Sequence, residues 1–481
     1  MKTILDLQPS IVWKNFHNIT RFPRPSKHEE KIRQYLLDWG NEHGFETFAD
    51  KTGNVIIRVP ATPGYEDHTG IILQGHMDMV PQKNSDVEHN FLLDAIKTRI
   101  VGEWVKACGT TLGADNGMGL AMALSIAEDP EAKHGPIEIL VTYDEETGMT
   151  GANALEPDTL KGKILINLDS ETEGELYVGC AGGLDASAKA EYGRKEWPEG
   201  FKCLAVNVTG CQGGHSGMDI ILCRANANKV AARILYNLLK ETDAKLVCME
   251  GGTLRNAIPR ECFSKILVKD TPLAKAVTER VAKELKAEYA QTDPDMKITV
   301  EVSDAKEKFY VEESCALRFI EAILACPDGV ERMSSSVPGL VETSNNLAMV
   351  KINDGKFELS TLMRSSVDSA KIALSQKFTS VFELAGIECS FSGGYSGWAP
   401  NPESKILATM KEVYSGMYGK EPEVMAIHAG LECGILGGIY PEWDMISMGP
   451  TLMSPHSPDE RCHIPSVGKT YDFLKEVLAT I

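Results

Sequence analysis

Residues 137–148 have the sequence Ile-Glu-Ile-Leu-Val-Thr-Tyr-Asp-Glu-Glu-Thr-Gly, an apolar run that ends in two adjacent carboxylates. The run predicts a buried strand, and the Thr-Gly after it predicts that the chain leaves the sheet there. Because side chains alternate along a strand, Glu145 and Glu146 can do different jobs only where the strand ends. One can then bind a metal ion while the other accepts a proton from water. An isolated Glu-Glu pair is more often a solvated acidic loop, so this interpretation depends on ligands elsewhere in the chain.

Composition indicates a globular chain with more than one domain. Its 481 residues exceed what one hydrophobic core usually supports, and 43% hydrophobic and 24% charged residues are ordinary fractions. A net charge of −19 argues against nucleic-acid and anionic-membrane partners. No apolar run approaches the ~18 residues of a membrane span, and the N-terminus has no signal-peptide pattern. The twelve scattered cysteines predict reduced, mostly buried thiols, so we expect a cytoplasmic protein.

The order of predicted elements favours an α/β fold with an insertion. Strands predicted at 55–59, 71–74, 137–143 and 164–168 alternate with helices at 28–44 and 116–127, which is typical of a largely parallel mixed sheet flanked by helices. From about residue 186 the alternation continues with few candidate ligands, and loops rich in Gly, His and Pro return near residue 392. We therefore predict a catalytic domain formed by residues 1–185 and 392–481, interrupted by an inserted α+β domain at 186–391. Glycine pairs at 182–183 and 393–394 are suitable hinges.

Potential metal ligands follow the ends of several predicted elements. An open α/β sheet places its site beyond the carboxyl ends of its strands, where these side chains would meet. Taken singly, each has an ordinary explanation: a His at a strand end is often structural, and Asp115 is a good N-cap. Two His and three carboxylates together suit two Zn²⁺ that share one carboxylate, with Mn²⁺ or Co²⁺ as substitutes. The candidates are His76, Asp115, Glu145 or Glu146, Asp169 and His456.

Five motifs occur in an order and spacing that resemble one family. They are His-Met-Asp at 76–78, Leu-Gly-Ala-Asp-Asn-Gly at 112–117, Asp-Glu-Glu-Thr-Gly at 144–148, Asn-Leu-Asp-Ser-Glu at 167–171 and His-Ser-Pro-Asp-Glu at 456–460. The chain resembles, over nearly its whole length, the di-zinc peptidases related to aminoacylases and glutamate carboxypeptidase. Within that family it is most similar to the aminoacyl-histidine dipeptidase branch.

The resemblance implies a role for each motif in the catalytic domain. It implies two Zn²⁺ per chain, with Asp115 as the bridging ligand. His76 and Asp169 would complete one metal site, and Glu146 and His456 the other. Glu145 would be the general base, and Asp78 would orient the His76 ring through a hydrogen bond.

For the insertion, the resemblance implies a lid domain that binds substrate and forms a homodimer. His215, in Gly-Gly-His-Ser-Gly, would stabilise the oxyanion, while Asn256 and Arg364 would bind substrate. An Arg suits a terminal carboxylate because its planar fork bonds both oxygens. Each residue also has an ordinary alternative. His215 and Asn256 could serve turns, and Arg364 could form a surface ion pair.

The implied activity is metal-dependent hydrolysis of dipeptides with a free amino end, including Xaa-His and β-Ala-His types. One alternative is an amidohydrolase that removes acyl groups from amino acids at the same two metals. Another is a metal-binding scaffold without catalysis, which the presence of Glu145 disfavours.

The chain departs from the usual pattern of the branch at two positions. Cys108 stands where members usually carry Asp, which predicts an altered surrounding of Asp115 or sensitivity to oxidation. Ser396 stands where Pro is usual, which predicts a looser loop. The sequence assigns no chemistry to Trp398, His428 and Glu432.

Overall fold

The computed structural model describes residues 2–303 and 308–481, and these form two compact units. The first unit comprises Met1–Gly179, Trp398–Ala426 and Leu431–Ile481, and the second comprises Cys180–Gly397 and Ile427–Gly430. The predicted insertion at 186–391 lies inside the second unit. Residues 427–430 were expected in the catalytic domain, but the Ala181 N–H donates to the carbonyls of Ile427 at 3.1 Å and Ala429 at 2.9 Å. These bonds attach 427–430 to the second unit.

The helices predicted at 28–44 and 116–127 are observed at Glu30–Glu42 and Ala114–Glu128. Another helix begins at residue 227, because the Asn226 side chain accepts hydrogen bonds from the N–H groups of Asn228 and Lys229. In the described residues the α-helices are α1 (Ser10–Thr20), α2 (Glu30–Glu42), α3 (Ala114–Glu128), α4 (Glu145–Gly148), α5 (Thr150–Asn153), α6 (Ala227–Glu241), α7 (Thr271–Glu288), α8 (Glu313–Ala325), α9 (Asp368–Leu384), α10 (Lys405–Tyr418), α11 (Glu432–Ile439) and α12 (Ile464–Thr480).

The strands supply one large sheet to each unit, together with smaller sheets. In the described residues they are β1 (Glu46–Ala49), β2 (Val55–Val59), β3 (Ile71–His76), β4 (Thr98–Val101), β5 (Trp104–Ala107), β6 (Ile137–Thr142), β7 (Ile164–Asn167), β8 (Glu175–Cys180), β9 (Gly182–Glu191), β10 (Arg194–Glu196), β11 (Lys202–Thr209), β12 (Gly214–His215), β13 (Lys245–Gly251), β14 (Ala257–Ile258), β15 (Cys262–Val268), β16 (Lys297–Val302), β17 (Phe309–Val311), β18 (Gly329–Met333), β19 (Val341–Asn353), β20 (Lys356–Ser365), β21 (Glu388–Tyr395), β22 (Glu423–Ile427), β23 (Asp444–Ser447), β24 (Leu452–Met453) and β25 (Arg461–His463).

The first unit is built on a mixed sheet of order β1-β2-β6-β3-β7-β23-β8-β22. The four neighbouring strands β6, β3, β7 and β23 pair parallel, and the flanking β1, β2 and β8 pair antiparallel. Every residue of β3 and of β6 is buried, as expected for strands covered on both faces. α3 packs against β3 and α1, so the core includes Trp13, Phe16 and Met118. The predicted α/β class is confirmed, and the four parallel strands end at one edge of the sheet.

The second unit has an antiparallel sheet of order β16-β11-β15-β13-β19-β20-β9-β21, with β18 paired to β19. Buried and more exposed residues alternate along much of β20, which is typical of a sheet with one covered face. α6 packs against α7 and α8, and the core includes Leu235, Phe319 and Phe357.

Two further features concern the cysteines and the character of the helices. No disulfide links any of the twelve cysteines, all of which lie in the described residues, and eight of them are buried, which confirms the prediction of mostly buried thiols. Among the described residues, no helix combines the length and apolar character that a membrane span requires.

Candidate active site

The predicted ligands of the first unit lie where chain segments leave the parallel part of the sheet. His76 is the last residue of β3, Glu145 and Glu146 open α4 after β6, and Asp169 follows β7 by two residues. Asp115 is the second residue of α3, but its φ of −82° and ψ of 111° are not helical. The fifth predicted ligand, His456, lies in the loop between β24 and β25.

Asp115 lies between the two histidines. Its Oδ1 is 3.1 Å from Nε2 of His76, and its Oδ2 is 3.1 Å from Nε2 of His456. The two oxygens of one carboxylate therefore face two different imidazoles, which is the arrangement that a bridging ligand requires.

Two groups of potential ligands share Asp115. In each group one ligand atom per residue lies within 4.8 Å of the others: His76, Asp115 and Asp169 form one group, and Asp115, Glu146 and His456 form the other. Oε1 of Glu146 and Oδ1 of Asp169 are buried without a hydrogen-bond partner, although Oδ1 of Asp169 is 3.4 Å from Nε2 of His76. Orphaned carboxylate oxygens beside imidazole nitrogens fit divalent cations that accept N and O ligands.

Electrostatics in the site also fit a cationic occupant. Burial, together with the Asp115 and Glu146 carboxylates, raises the pKa of Asp169 to about 7, although His76 opposes the shift. Burial likewise raises the pKa of Glu145 well above its usual value. Hydrogen bonds to Asp115 and Glu146 raise the pKa of His456 to about 11. A divalent cation would stabilise the ionised carboxylates and the neutral imidazoles that act as ligands.

Asp78 connects His76 to both glutamates. Its Oδ1 accepts the Glu145 N–H at 3.0 Å and lies 3.2 Å from Nδ1 of His76, and its Oδ2 accepts the Glu146 N–H at 3.2 Å and the Ser26 hydroxyl at 2.8 Å. Burial opposes ionisation of Asp78, but the hydrogen bonds from His76 and the other donors prevail and lower its pKa. Asp78 therefore holds the His76 ring and fixes the backbone of the glutamate pair.

The glutamate pair begins three residues after the strand ends. β6 ends at Thr142, and Asp144 has a left-handed backbone with φ 51° and ψ 55° before α4 begins. Oε2 of Glu146 is 3.0 Å from Nε2 of His456. Glu145 also forms a ligand-like group with His76 and Glu146, so its carboxylate lies beside the two groups that share Asp115.

Glu432 belongs to a buried polar layer that sequence reasoning missed. Its Oε2 accepts hydrogen bonds at 2.6 Å from Nε2 of Gln74 and from Oγ1 of Thr142. Nδ2 of Asn167 donates to Oε1 of Gln74 at 2.6 Å, and the Ser447 hydroxyl donates to Oδ1 of Asn167 at 2.5 Å. Gln74 and Asn167 each precede a predicted ligand by two residues, so this layer lies directly below the ligands. The sequence signal for this layer was a polar residue within an otherwise apolar predicted strand, namely Gln74 in one strand and Asn167 in another.

The three predicted residues of the insertion lie around Ser216 in the second unit. The Ser216 N–H donates to the Asn256 carbonyl at 2.9 Å, and Nε of Arg364 donates to the Ser216 hydroxyl at 3.3 Å. Arg364 is buried, with Nη1 3.4 Å from the Tyr395 hydroxyl, so it is not the surface ion pair of the ordinary alternative. Nδ1 of His215 accepts the N–H groups of Gly217 at 3.2 Å and Met218 at 3.1 Å.

His428 lies near this cluster and predicts a pH dependence of stability. Burial, aided by the Arg364 charge, lowers its pKa to about 3, and Nε2 is 2.7 Å from the Ser344 hydroxyl. The unfolded chain takes up a proton near pH ~6.5 and the folded chain does not. The stabilisation is therefore present above pH ~6.5 and is lost as the pH falls toward 3.

We expect His428 to lower the free energy of unfolding by about 1.4 kcal/mol for each pH unit below ~6. The measurement is urea unfolding at several pH values for the wild type and for His428→Asn, which lacks the titrating ring. The variant should show the shallower dependence, and equal slopes for both proteins would contradict the assignment.

Cys108 and Ser396, where the chain departs from the usual pattern of the branch, have different surroundings. Cys108 is exposed and its thiol is free. The Ser396 hydroxyl hydrogen-bonds to Asp368, which also accepts the Gly397 N–H at 3.1 Å. The expected looser loop is therefore held at this point by Asp368. Trp398 is buried in the first unit.

Comparison with known proteins identifies the family. The family model described as peptidase family M20/M25/M40 matches residues 72–480. The cytosol non-specific dipeptidase of Escherichia coli (strain K12) is 42% identical over 483 residues, covering 100% of this chain and 99% of that protein.

Solved structures agree with this result. The aminoacylhistidine dipeptidase of Vibrio alginolyticus matches with a TM-score of 0.95 and 45% identity, covering 100% of this chain and 98% of that one. Aminopeptidase PepT of Bacillus cereus ATCC 10987 matches with a TM-score of 0.57 and 16% identity over 98% of both chains, which shows a shared fold only. The chain therefore belongs to peptidase family M20/M25/M40.

Proposed function

We propose that this chain hydrolyses dipeptides that carry a free amino end, and that it does so with two bound metal ions. The observation that carries the proposal is the pair of ligand groups that share Asp115, with the Glu145 carboxylate beside them. Support comes from the names of the full-length relatives, a non-specific dipeptidase and an aminoacylhistidine dipeptidase, each more than 40% identical to this chain. Those names favour the dipeptidase over the deacylase.

The five proposed metal ligands supply two imidazole nitrogens and three carboxylates, a set that suits Zn²⁺ and accepts Mn²⁺ or Co²⁺. His76 and Asp169 would hold one ion, Glu146 and His456 the other, and Asp115 both. When bound, the ions supply Lewis-acid polarisation and lower the pKa of a water molecule.

Glu145 is the proposed general base. Its carboxylate accepts the proton of the attacking water and later delivers a proton to the leaving amine. Asp78 accepts a 3.0 Å hydrogen bond from the Glu145 N–H, which fixes the backbone that carries the Glu145 side chain. The neighbouring Glu146 faces His456 instead, which divides the two tasks between adjacent residues.

His215 is the proposed oxyanion donor. Because Nδ1 already accepts two backbone N–H groups, the neutral ring carries its proton on Nε2, where it can donate. Burial and the Arg364 charge lower the pKa of His215, which favours that neutral form. One well-placed donor of this kind contributes about 3–4 kcal/mol to transition-state stabilisation.

Arg364 and Asn256 are the proposed substrate-binding residues. The guanidinium of Arg364 is oriented by Ser216 and Tyr395, and its planar fork suits the carboxylate end of a dipeptide. Asn256 is exposed and is attached to the same serine through its carbonyl.

The decisive experiment pairs a metal count with a substrate panel. We expect about two metal ions per chain, cleavage of Gly-His and β-Ala-His, and little action on an N-acetylated amino acid. A chelator should abolish the activity, and Zn²⁺, Mn²⁺ or Co²⁺ should restore it. Cleavage of only the acetylated compound would favour the deacylase. A chain that takes up no metal would contradict the proposed ligand set.

We also infer a cytosolic location, which the name of the Escherichia coli relative states of that protein. A homodimer formed through the second unit stays a prediction, and sedimentation of the purified chain would test it.

A further inference from the structure

The carboxylate of Glu460 accepts hydrogen bonds from four successive backbone N–H groups, which form a concave surface around it. Its Oε2 accepts the N–H of Leu112 at 2.7 Å and of Gly113 at 3.0 Å, while its Oε1 accepts the N–H of Ala114 at 2.7 Å and of Asp115 at 3.4 Å. Glu460 is 1% exposed. Successive N–H groups around a left-handed residue form an anion-binding concavity, and Gly113 supplies that residue with φ 68°.

Arg24 holds the same loop from its other side. Its Nη2 donates to the Gly113 carbonyl, and its Nη1 donates to the carbonyls of Met77 at 2.9 Å and Asp78 at 2.7 Å. A Cβ at Gly113 would lie 2.6 Å from Nη2 of Arg24. The Gly113 residue is therefore fixed through both its N–H and its carbonyl.

Glu460 also belongs to the loop that carries His456. The Glu460 N–H donates to the Ser457 carbonyl at 2.9 Å, which closes a turn over residues 457–460, directly after His456. Ser454 and His456 both have a left-handed backbone, with φ of 55° and 58°. Residues other than glycine rarely adopt that conformation, so the backbone of the His456 loop is specified by its surroundings.

We propose that Glu460 is a positioning residue that sets the separation of Asp115 and His456, and so the affinity of the chain for metal. This inference rests on the proposed metal centre. One carboxylate joins the two loops: it binds the N–H of Asp115 itself and follows His456 by four residues. Only a carboxylate offers acceptors to all four donors, since an amide in its place would direct an NH₂ group at two of them.

The test is a competition for Zn²⁺ between the purified full-length chain and a chromophoric chelator. We expect Glu460→Gln to bind Zn²⁺ about 10–100-fold more weakly than the wild type, as is typical for residues that orient metal ligands. Glu460→Asp keeps the charge but is one methylene shorter, so an intermediate loss is expected. Asp459→Asn is the matched control, because Asp459 is exposed and pairs only with Lys106 among the described residues, at 3.1 Å.

The outcomes separate this inference from the proposed function. Weaker binding by both Glu460 variants, with circular dichroism unchanged and the control within about twofold of the wild type, supports positioning. Wild-type affinity in a folded Glu460→Gln overturns it. Loss of the folded state in both variants also overturns it, because Glu460 would then serve global stability. If the wild-type chain binds no Zn²⁺, the result contradicts the proposed metal centre itself and not the positioning role of Glu460.

Discussion

Glu145→Gln is expected to lower kcat by about 10²–10⁴-fold on Gly-His while the metal content stays at the wild-type level. Glutamine keeps the size of the side chain and its contacts, but it cannot accept a proton from the attacking water. The backbone N–H of residue 145 still donates to Asp78, so the position of the backbone that carries the side chain is preserved. KM should change little, because substrate binding is assigned to other residues.

The measurement combines steady-state kinetics with elemental analysis of the same sample. Glu156→Gln is the control, because Glu156 is exposed and its carboxylate contacts Lys51. Wild-type turnover in Glu145→Gln would rule out the general-base assignment. A fall in metal content would instead make Glu145 a ligand, an outcome that its proximity to His76 and Glu146 makes worth measuring.

Asp115→Ala is expected to remove both metal ions and to lower activity by at least ~10³-fold. Its two carboxylate oxygens face His76 and His456 separately, so truncation takes one ligand from each group. Asp169→Ala removes a ligand from one group only, and so does His456→Ala from the other.

The metal count per chain distinguishes these variants. We expect Asp115→Ala to retain close to none, and Asp169→Ala and His456→Ala to retain about one ion each, at different sites. Circular dichroism of each variant establishes that the chain remains folded. One ion retained by Asp115→Ala would show that this carboxylate does not bridge.

Several features could be predicted from sequence because they depend on local pattern. Apolar runs at 71–74 and 137–143 predicted strands of a largely parallel sheet, and side chains just after parallel strands lie at the same edge of such a sheet. His76, Glu146 and Asp169 could therefore be expected together. Asp115 and His456 were candidates as well, but only the resemblance to known motifs made Asp115 the shared ligand and paired His456 with Glu146.

Other features depended on the tertiary structure. The sequence did not show that Asp144 turns the chain so that Glu146 faces His456. It also did not show that 427–430 join the second unit through Ala181. Both depend on hydrogen bonds or backbone angles that leave no periodic mark on the sequence.

By itself, the sequence of this protein determined the family, the α/β class and the set of candidate ligands, because these follow from motif order and from strand and helix periodicity. Only the tertiary structure decided what holds those ligands in place. Glu432 contacts Gln74 across 358 positions of the chain, and Glu460 contacts Leu112 across 348. A buried carboxylate needs hydrogen-bond donors. When those donors lie hundreds of residues away along the chain, only the packed structure shows which residues supply them.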